Sequence, residues 1–138
     1  MPKLILIRGI PGSGKSTLAR ELCTLYSDAK VFENDQFFIN ESGVYVYDDY
    51  LLRYAYVECA KMTDEWLALG RTAIVSNTFT TKREIAPYFD LAKKYGIVPS
   101  VLLCQNDYGS INDVSEFKMN RMKNRFTYDL SDLFKTLC

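Results

Sequence analysis

The sequence predicts an α/β fold, a three-layer sandwich in which helices cover both faces of a central parallel sheet of four or five strands. Two observations carry this expectation. Short apolar runs alternate along the chain with segments whose apolar residues recur every three or four positions, so strand and helix patterns take turns. The first run, Lys3–Arg8, is apolar without alternation and ends at a glycine, as a strand buried on both faces does.

In order, Lys3–Arg8 forms the first strand. Lys15–Tyr26 follows as a helix with Leu18, Ala19, Leu22 and Leu25 on its buried face. Val31-Phe32 is a short second strand ending in the acidic turn Glu33-Asn34-Asp35. Asn40–Asp48, in which Glu-Ser-Gly precedes alternating Val and Tyr, is a surface hairpin or loop. Asp49–Leu69 spaces Leu52, Ala55, Cys59, Met62, Trp66 and Leu69 by three and four, a long helix stopped at Gly70. Thr72–Ser76 is the third strand. Thr81 and Glu84 match a capping box that opens a helix running to Tyr95, with Gly96 just past its end. Val98–Cys104 is the fourth strand and 105–115 a polar loop. A short helix from about Ser115 to Phe126 precedes a tail without an assigned element.

At 138 residues, one domain over 1–138 is expected. Hydrophobic residues make up 48% and charged residues 25%, the balance of an ordinary globular chain. No apolar run approaches the length of a membrane span. Met1-Pro2-Lys3 leads straight into a strand without the pattern of a secretory signal, so a cytoplasmic location with no membrane partner is expected. The cysteines, Cys23, Cys59, Cys104 and Cys138, lie far apart without a Cys-x-x-Cys pair, which suits reduced thiols. Seventeen basic residues balance 17 acidic ones, so no global field gathers nucleic acid. Lys118, Arg121, Lys123 and Arg125 form one local basic patch. The absence of histidine excludes histidine metal sites and triads, which leaves proton acceptance to carboxylates or other side chains.

Gly9-Ile10-Pro11-Gly12-Ser13-Gly14-Lys15-Ser16 fits G-x-x-x-x-G-K-[ST] at every fixed position, between a predicted strand and a predicted helix. This is the fingerprint of a P-loop NTPase. The glycines let successive amide N–H groups turn into one concavity that takes the phosphates of ATP or another nucleoside triphosphate. Lys15 reaches the β- and γ-phosphates, and the Ser16 hydroxyl suits Mg²⁺. Thr17 continues the contact into the helix, whose dipole presents its positive end. The loop alone does not separate kinases from switches, motors or transporters. Motors and AAA+ machines call for a larger core with a helical lid, and a switch GTPase calls for an Asn/Thr-Lys-x-Asp segment that is missing here.

The order KLILIRGIPGSGKSTLARE, ENDQFF, IVSNTF, KREIAPYFDLAKKYG and NRMKNRF resembles the phosphate-loop kinases of the polynucleotide kinase type, including compact phage-like relatives and the related domain of NEDD4-binding protein 2. The resemblance implies an ATP- and Mg²⁺-dependent kinase acting on a hydroxyl of a nucleic acid or nucleotide-like acceptor. In such kinases an aspartate just after the second strand is the base, and Asp35 holds that position. A cap for a short helix at Gln36 is the competing role. Arginines of the terminal segment close over the phosphates in the resembling kinases, which points to Arg125 and Arg121, one helical turn apart. A solvated basic helix face is the alternative. Asn77 stands where relatives carry aspartate, which weakens a carboxylate metal ligand there and leaves Ser76 or Asn77 to reach Mg²⁺ through water or to touch substrate.

Three positions depart from the family. Phe38 replaces a substrate-gripping arginine, and Tyr56 and Asn112 stand where compact relatives have histidines. The aromatic residues Phe37, Phe38, Tyr45, Tyr47 and Tyr50 then become candidates for stacking on a nucleobase, Phe38 foremost, against plain packing. Within the same class the acceptor ranges from a 5′-hydroxyl end or modified base to a nucleoside or other small molecule. A nucleotide-binding partner module without phosphotransfer is the alternative from another class.

Overall fold

A computed structural model describes residues 2–107 and 115–137. The central strand is β1, Leu4–Arg8, every residue of which is buried. It pairs in parallel with β3, Ala73–Ser76, on one side and β4, Ser100–Leu103, on the other. The short β2, Lys30–Phe32, extends the sheet beyond β3 to give the order β2-β3-β1-β4, parallel throughout. The expected α/β architecture is present with four strands among the described residues.

Alternation along β1 divides the core. Ile5 and Ile7 face Ala19 and Ile74 beneath α1, Lys15–Cys23. Leu4 and Leu6 face the other layer, where α2, Leu52–Ala68, and α3, Lys82–Tyr95, pack with Phe32, Ile85 and Phe89. Side chains that alternate across a strand thereby seal both faces of one sheet.

Several boundaries move for local reasons. α1 ends at Cys23 rather than Tyr26, so Leu25 leaves the helical stripe and is 71% exposed. The buried line of α2 is Ala55, Cys59, Thr63 and Leu67, which leaves Leu69 outside. Thr63 is fully buried because its hydroxyl donates to the Cys59 carbonyl at 2.7 Å. A 3-10 turn, Asp49–Leu51, precedes α2, with Asp48 accepting the Tyr50 amide at 2.9 Å. The predicted capping box at Thr81 and Glu84 is formed, and Gly96 closes α3 in the left-handed conformation at φ 66°. β4 begins at Ser100, after Pro99, and is a mostly exposed edge.

The segment after β2 is a 3-10 turn, Asn34–Phe38. It leads into a loop where Ile39 bridges Tyr45 antiparallel and the Asn40 side chain accepts the Ser42 and Val44 amides at 2.9 and 3.0 Å. Val44 and Val46 face out, while Tyr45 and Tyr47 turn onto Phe38. Near the C-terminus, α4, Glu116–Arg125, is capped by Ser115. The tail holds a further short helix, α5, Ser131–Lys135, whose Phe134 ring packs edge-on against Phe89 at 5.0 Å. Among the described residues no helix is long and apolar enough to cross a membrane. Asn112 and Cys138, singled out above, lie outside the described residues.

Candidate active site

Gly9–Ser16 leaves the C-terminal end of β1 and runs into α1. From β1 the chain crosses to β2 on one side of the sheet and from β3 it crosses to β4 on the other, so a crevice opens at the carboxyl ends of these two neighbouring strands. The Gly9 amide, donating to the Thr78 carbonyl at 3.2 Å, ties the loop to the segment after β3. A Cβ at Gly9 would stand 2.5 Å from the Ser13 hydroxyl and 2.6 Å from the Cys104 carbonyl, so only glycine fits. Gly12 and Gly14 adopt φ of 81° and 98°, where side chains are disfavoured. Ser13 is buried with no partner for its hydroxyl among the described residues. A curled loop with a side-chain-free cradle and an unpaired inward hydroxyl fits phosphate oxygens. Pro11 is half-buried on the loop, and Thr17 is exposed in the first turn of α1.

Lys15 donates to the Ile10 carbonyl at 3.0 Å, which folds its ammonium over the loop. Burial pushes its pKa down, while the negative sides of Cys104, Glu33 and Asp35 oppose that shift. The Ser16 hydroxyl donates to Glu33 at 3.2 Å. Burial of Glu33 pushes its carboxyl up, with Asp35 adding to the rise and the Ser16 hydrogen bond, Lys15 and Arg20 restraining it. The 3-10 turn after β2 therefore sits against the phosphate loop.

Asp35 lies within that turn, and Glu33 occupies the cap position, so the capping role weighed for Asp35 falls away. Its exposed carboxylate accepts the Tyr45 hydroxyl at 3.4 Å. Burial, followed by the Asp35 charge and this hydrogen bond, pushes Tyr45 up to about 12. Tyr56 on α2 feels Glu84, Arg125 and Asp35 together, and burial is the first cause of its raised pKa. A residue that the sequence marked only as a departure thus lies within the field of Asp35 and the terminal helix.

Phe38 is 5% exposed at the centre of an aromatic cluster, 5.4 Å from Phe37, 6.3 Å from Tyr45 and 5.0 Å from Tyr47 by ring centroids. It is packed, which removes it as a stacking platform. Tyr47 is the outer member, stacked on Tyr45 at 6.4 Å, with the Lys118 ammonium 4.8 Å from its ring centre. Its hydroxyl donates to Asp49 at 2.5 Å.

Asn77 is buried, and both ends of its amide are occupied. The oxygen accepts the Asn34 amide at 2.7 Å and the nitrogen approaches the Cys59 sulfur at 3.8 Å. Arg125 donates to the Thr80 hydroxyl at 3.1 Å, and Thr80 in turn bonds Glu84. The start of the tail is held to the same residue through the Thr127 amide and Thr80 carbonyl at 2.7 Å. Arg121 is exposed, with its guanidinium 5.8 Å from the Phe117 ring centre. Lys15, Ser16, Glu33 and Asp35 therefore gather at the crevice, Arg125 joins through the loop after β3, and Arg121 stands apart. Glu33 and Arg8 were passed over in the sequence, one as part of a turn and the other as the end of a strand.

Among solved structures, the chain resembles Chaetomium thermophilum Kti12 in complex with ADP-AlF3 at 16% identity and a TM-score of 0.62, over 89% of this chain and 79% of that one. A Chloroflexus aurantiacus protein provisionally classed as a kinase matches at 22% identity and a TM-score of 0.61, over 75% of this chain. A chain of the Pnkp1/Rnl/Hen1 complex matches at 20% identity and a TM-score of 0.60, over 94% of this chain. The present chain covers 59% and 40% of the latter two, so it spans well under two thirds of their length. At these identities the likeness is one of fold. Residues 4–113 match the family described as AAA domain. The length argument against an AAA+ machine concerned a larger core with a helical lid, and the match lies over the α/β part of this chain. Because that match covers most of the sequence, from the start of β1 past the end of β4, the chain belongs to this AAA domain family.

Proposed function

We propose that the protein is a nucleotide-dependent kinase that moves the γ-phosphoryl group of ATP to a hydroxyl of a nucleic acid or nucleotide-like acceptor. The observation that carries this reading is the meeting of Ser16 and Glu33 at 3.2 Å, which sets the carboxylate turn after β2 against the phosphate loop. That turn brings the exposed Asp35 carboxylate into the field of Lys15 on the phosphate loop.

In the proposed reaction the loop amides and Lys15 hold the β- and γ-phosphates. Asp35 takes the proton of the acceptor hydroxyl as its oxygen bonds to the γ-phosphorus. The bond from that phosphorus to the β–γ bridging oxygen breaks, and the nucleoside diphosphate leaves. Arg125, with Arg121 one helical turn before it on α4, balances the charge on the transferred group. Ser16 is suited to hold Mg²⁺, which when bound neutralises charge shared by the β- and γ-phosphates.

The acceptor class follows the resemblance to polynucleotide kinases, and the similarly folded chain at 20% identity comes from the Pnkp1/Rnl/Hen1 complex. Tyr47 and Lys118, ring beneath ammonium, supply a surface for a base and a phosphate. Incubation with γ-labelled ATP and 5′-hydroxyl DNA, 5′-hydroxyl RNA, modified duplex or nucleosides tests the reading directly. Label in a nucleic-acid or nucleoside product supports it. Tight nucleotide binding with no labelled product across the screen favours a nucleotide-dependent partner module instead, a reading supported by the fully engaged, uncharged amide of Asn77.

A further inference from the structure

Glu33 occupies the cap position of the 3-10 turn, yet its side chain makes no capping hydrogen bond. It turns instead to Ser16, the loop hydroxyl suited to a divalent cation. At the end of β3, where the resembling kinases carry a carboxylate, Asn77 offers an uncharged amide already bonded to the Asn34 amide and the Cys59 sulfur. The loop hydroxyl is therefore served by a carboxylate from β2 and not from β3.

The spacing suits a small hard cation. Oxygen ligands about 2.1 Å from Mg²⁺ at right angles lie about 3.0 Å apart, and the Ser16 and Glu33 oxygens at 3.2 Å need close by only about 0.2 Å. Mg²⁺ in phosphate-transfer sites is commonly held by one or two carboxylates with substrate phosphates and water completing the shell. Glu33 forms no ion pair among the described residues, and it is not exposed, so its charge is directed at the loop.

We infer that Glu33 supplies the anionic protein contact to the nucleotide-bound divalent cation, replacing the carboxylate that is missing at Asn77. This rests on the reading of Gly9–Ser16 as a nucleotide loop, and the test separates the two. Calorimetry with a non-hydrolysable ATP analogue is run in EDTA and then in Mg²⁺. Wild type should bind in EDTA and bind more tightly in Mg²⁺. E33Q should bind within about twofold of wild type in EDTA but lose about tenfold or more of the Mg²⁺ enhancement, the scale of losing a metal-supporting group. N77D added to E33Q should recover part of it.

Equal Mg²⁺ enhancement in wild type and E33Q overturns the assignment while leaving the nucleotide loop intact, as does a wild type whose affinity ignores Mg²⁺. Failure of wild type to bind the analogue under either condition overturns the loop reading and takes the assignment with it. If E33Q does not fold, E33A provides the same comparison, and an enhancement equal to wild type's overturns the assignment.

Discussion

Arg8 and Phe79 form a buried clamp, in which the guanidinium donates from Nε and Nη2 to one carbonyl at 3.1 and 2.6 Å. The Phe126 ring lies 4.3 Å from the same guanidinium, and Phe79 holds φ at 45°. The end of β1, the loop after β3 and the segment after α4 are joined at one cation, just below the phosphate loop. Burial lowers the Arg8 pKa, with Glu84 and Tyr128 opposing that shift. Replacing Arg8 with Ala leaves a buried carbonyl unpaired and should cost about 3 kcal/mol, read by urea unfolding. Lysine should not restore the loss, because it lacks the planar fork and the stacking face.

Asp35 should be separable from nucleotide binding. D35A is expected to keep its affinity for ATP within about twofold and to lose about 10²- to 10⁴-fold in phosphoryl transfer. Calorimetry with the ATP analogue and the labelled-acceptor assay give the two numbers. Undiminished transfer removes Asp35 from the mechanism.

The two arginines should differ. Arg125 is tied to Thr80 beside the crevice, and R125A is expected to cost more transfer than R121A, up to about 10³-fold. Because Arg125 also anchors the loop, urea unfolding of both variants is measured alongside kcat. A transfer loss in R125A that is fully accounted for by unfolding places Arg125 in a structural role alone.

Asp64 on α2 accepts the Tyr95 hydroxyl and the Lys94 ammonium of α3, the latter at 3.1 Å. The Tyr95 hydrogen bond first, then Lys94, holds its carboxyl below the ordinary 3.8. A depressed carboxylate contributes stability above its unfolded pKa and loses it as pH falls through the folded one. D64N should therefore be less stable than wild type by about 0.5 kcal/mol at pH 7, and the difference should vanish as pH falls well below 4. Acid-series urea melts of both proteins measure it.

Much of this architecture was legible in the sequence because its signals are local. The capping box at Thr81 and Glu84, the stop at Gly96 and the glycines of the loop act through backbone geometry over a few residues. Leu25 and Leu69 were misplaced because periodicity does not say where a helix ends or how its face is rotated against the sheet. Phe38 was misjudged because aromatic rings that pack and rings that stack on ligands have the same composition.

The sequence by itself determined the phosphate loop and the alternation of strand and helix, since both follow from residue type at fixed spacing. Only the tertiary structure decided that Glu33 meets Ser16, that Asn77 is tied to Asn34 and that Arg8 holds the Phe79 carbonyl. Those partners lie 17, 43 and 71 residues apart in the chain. They meet because parallel strands bring the ends of β1, β2 and β3 to one edge, where buried polar groups must find partners.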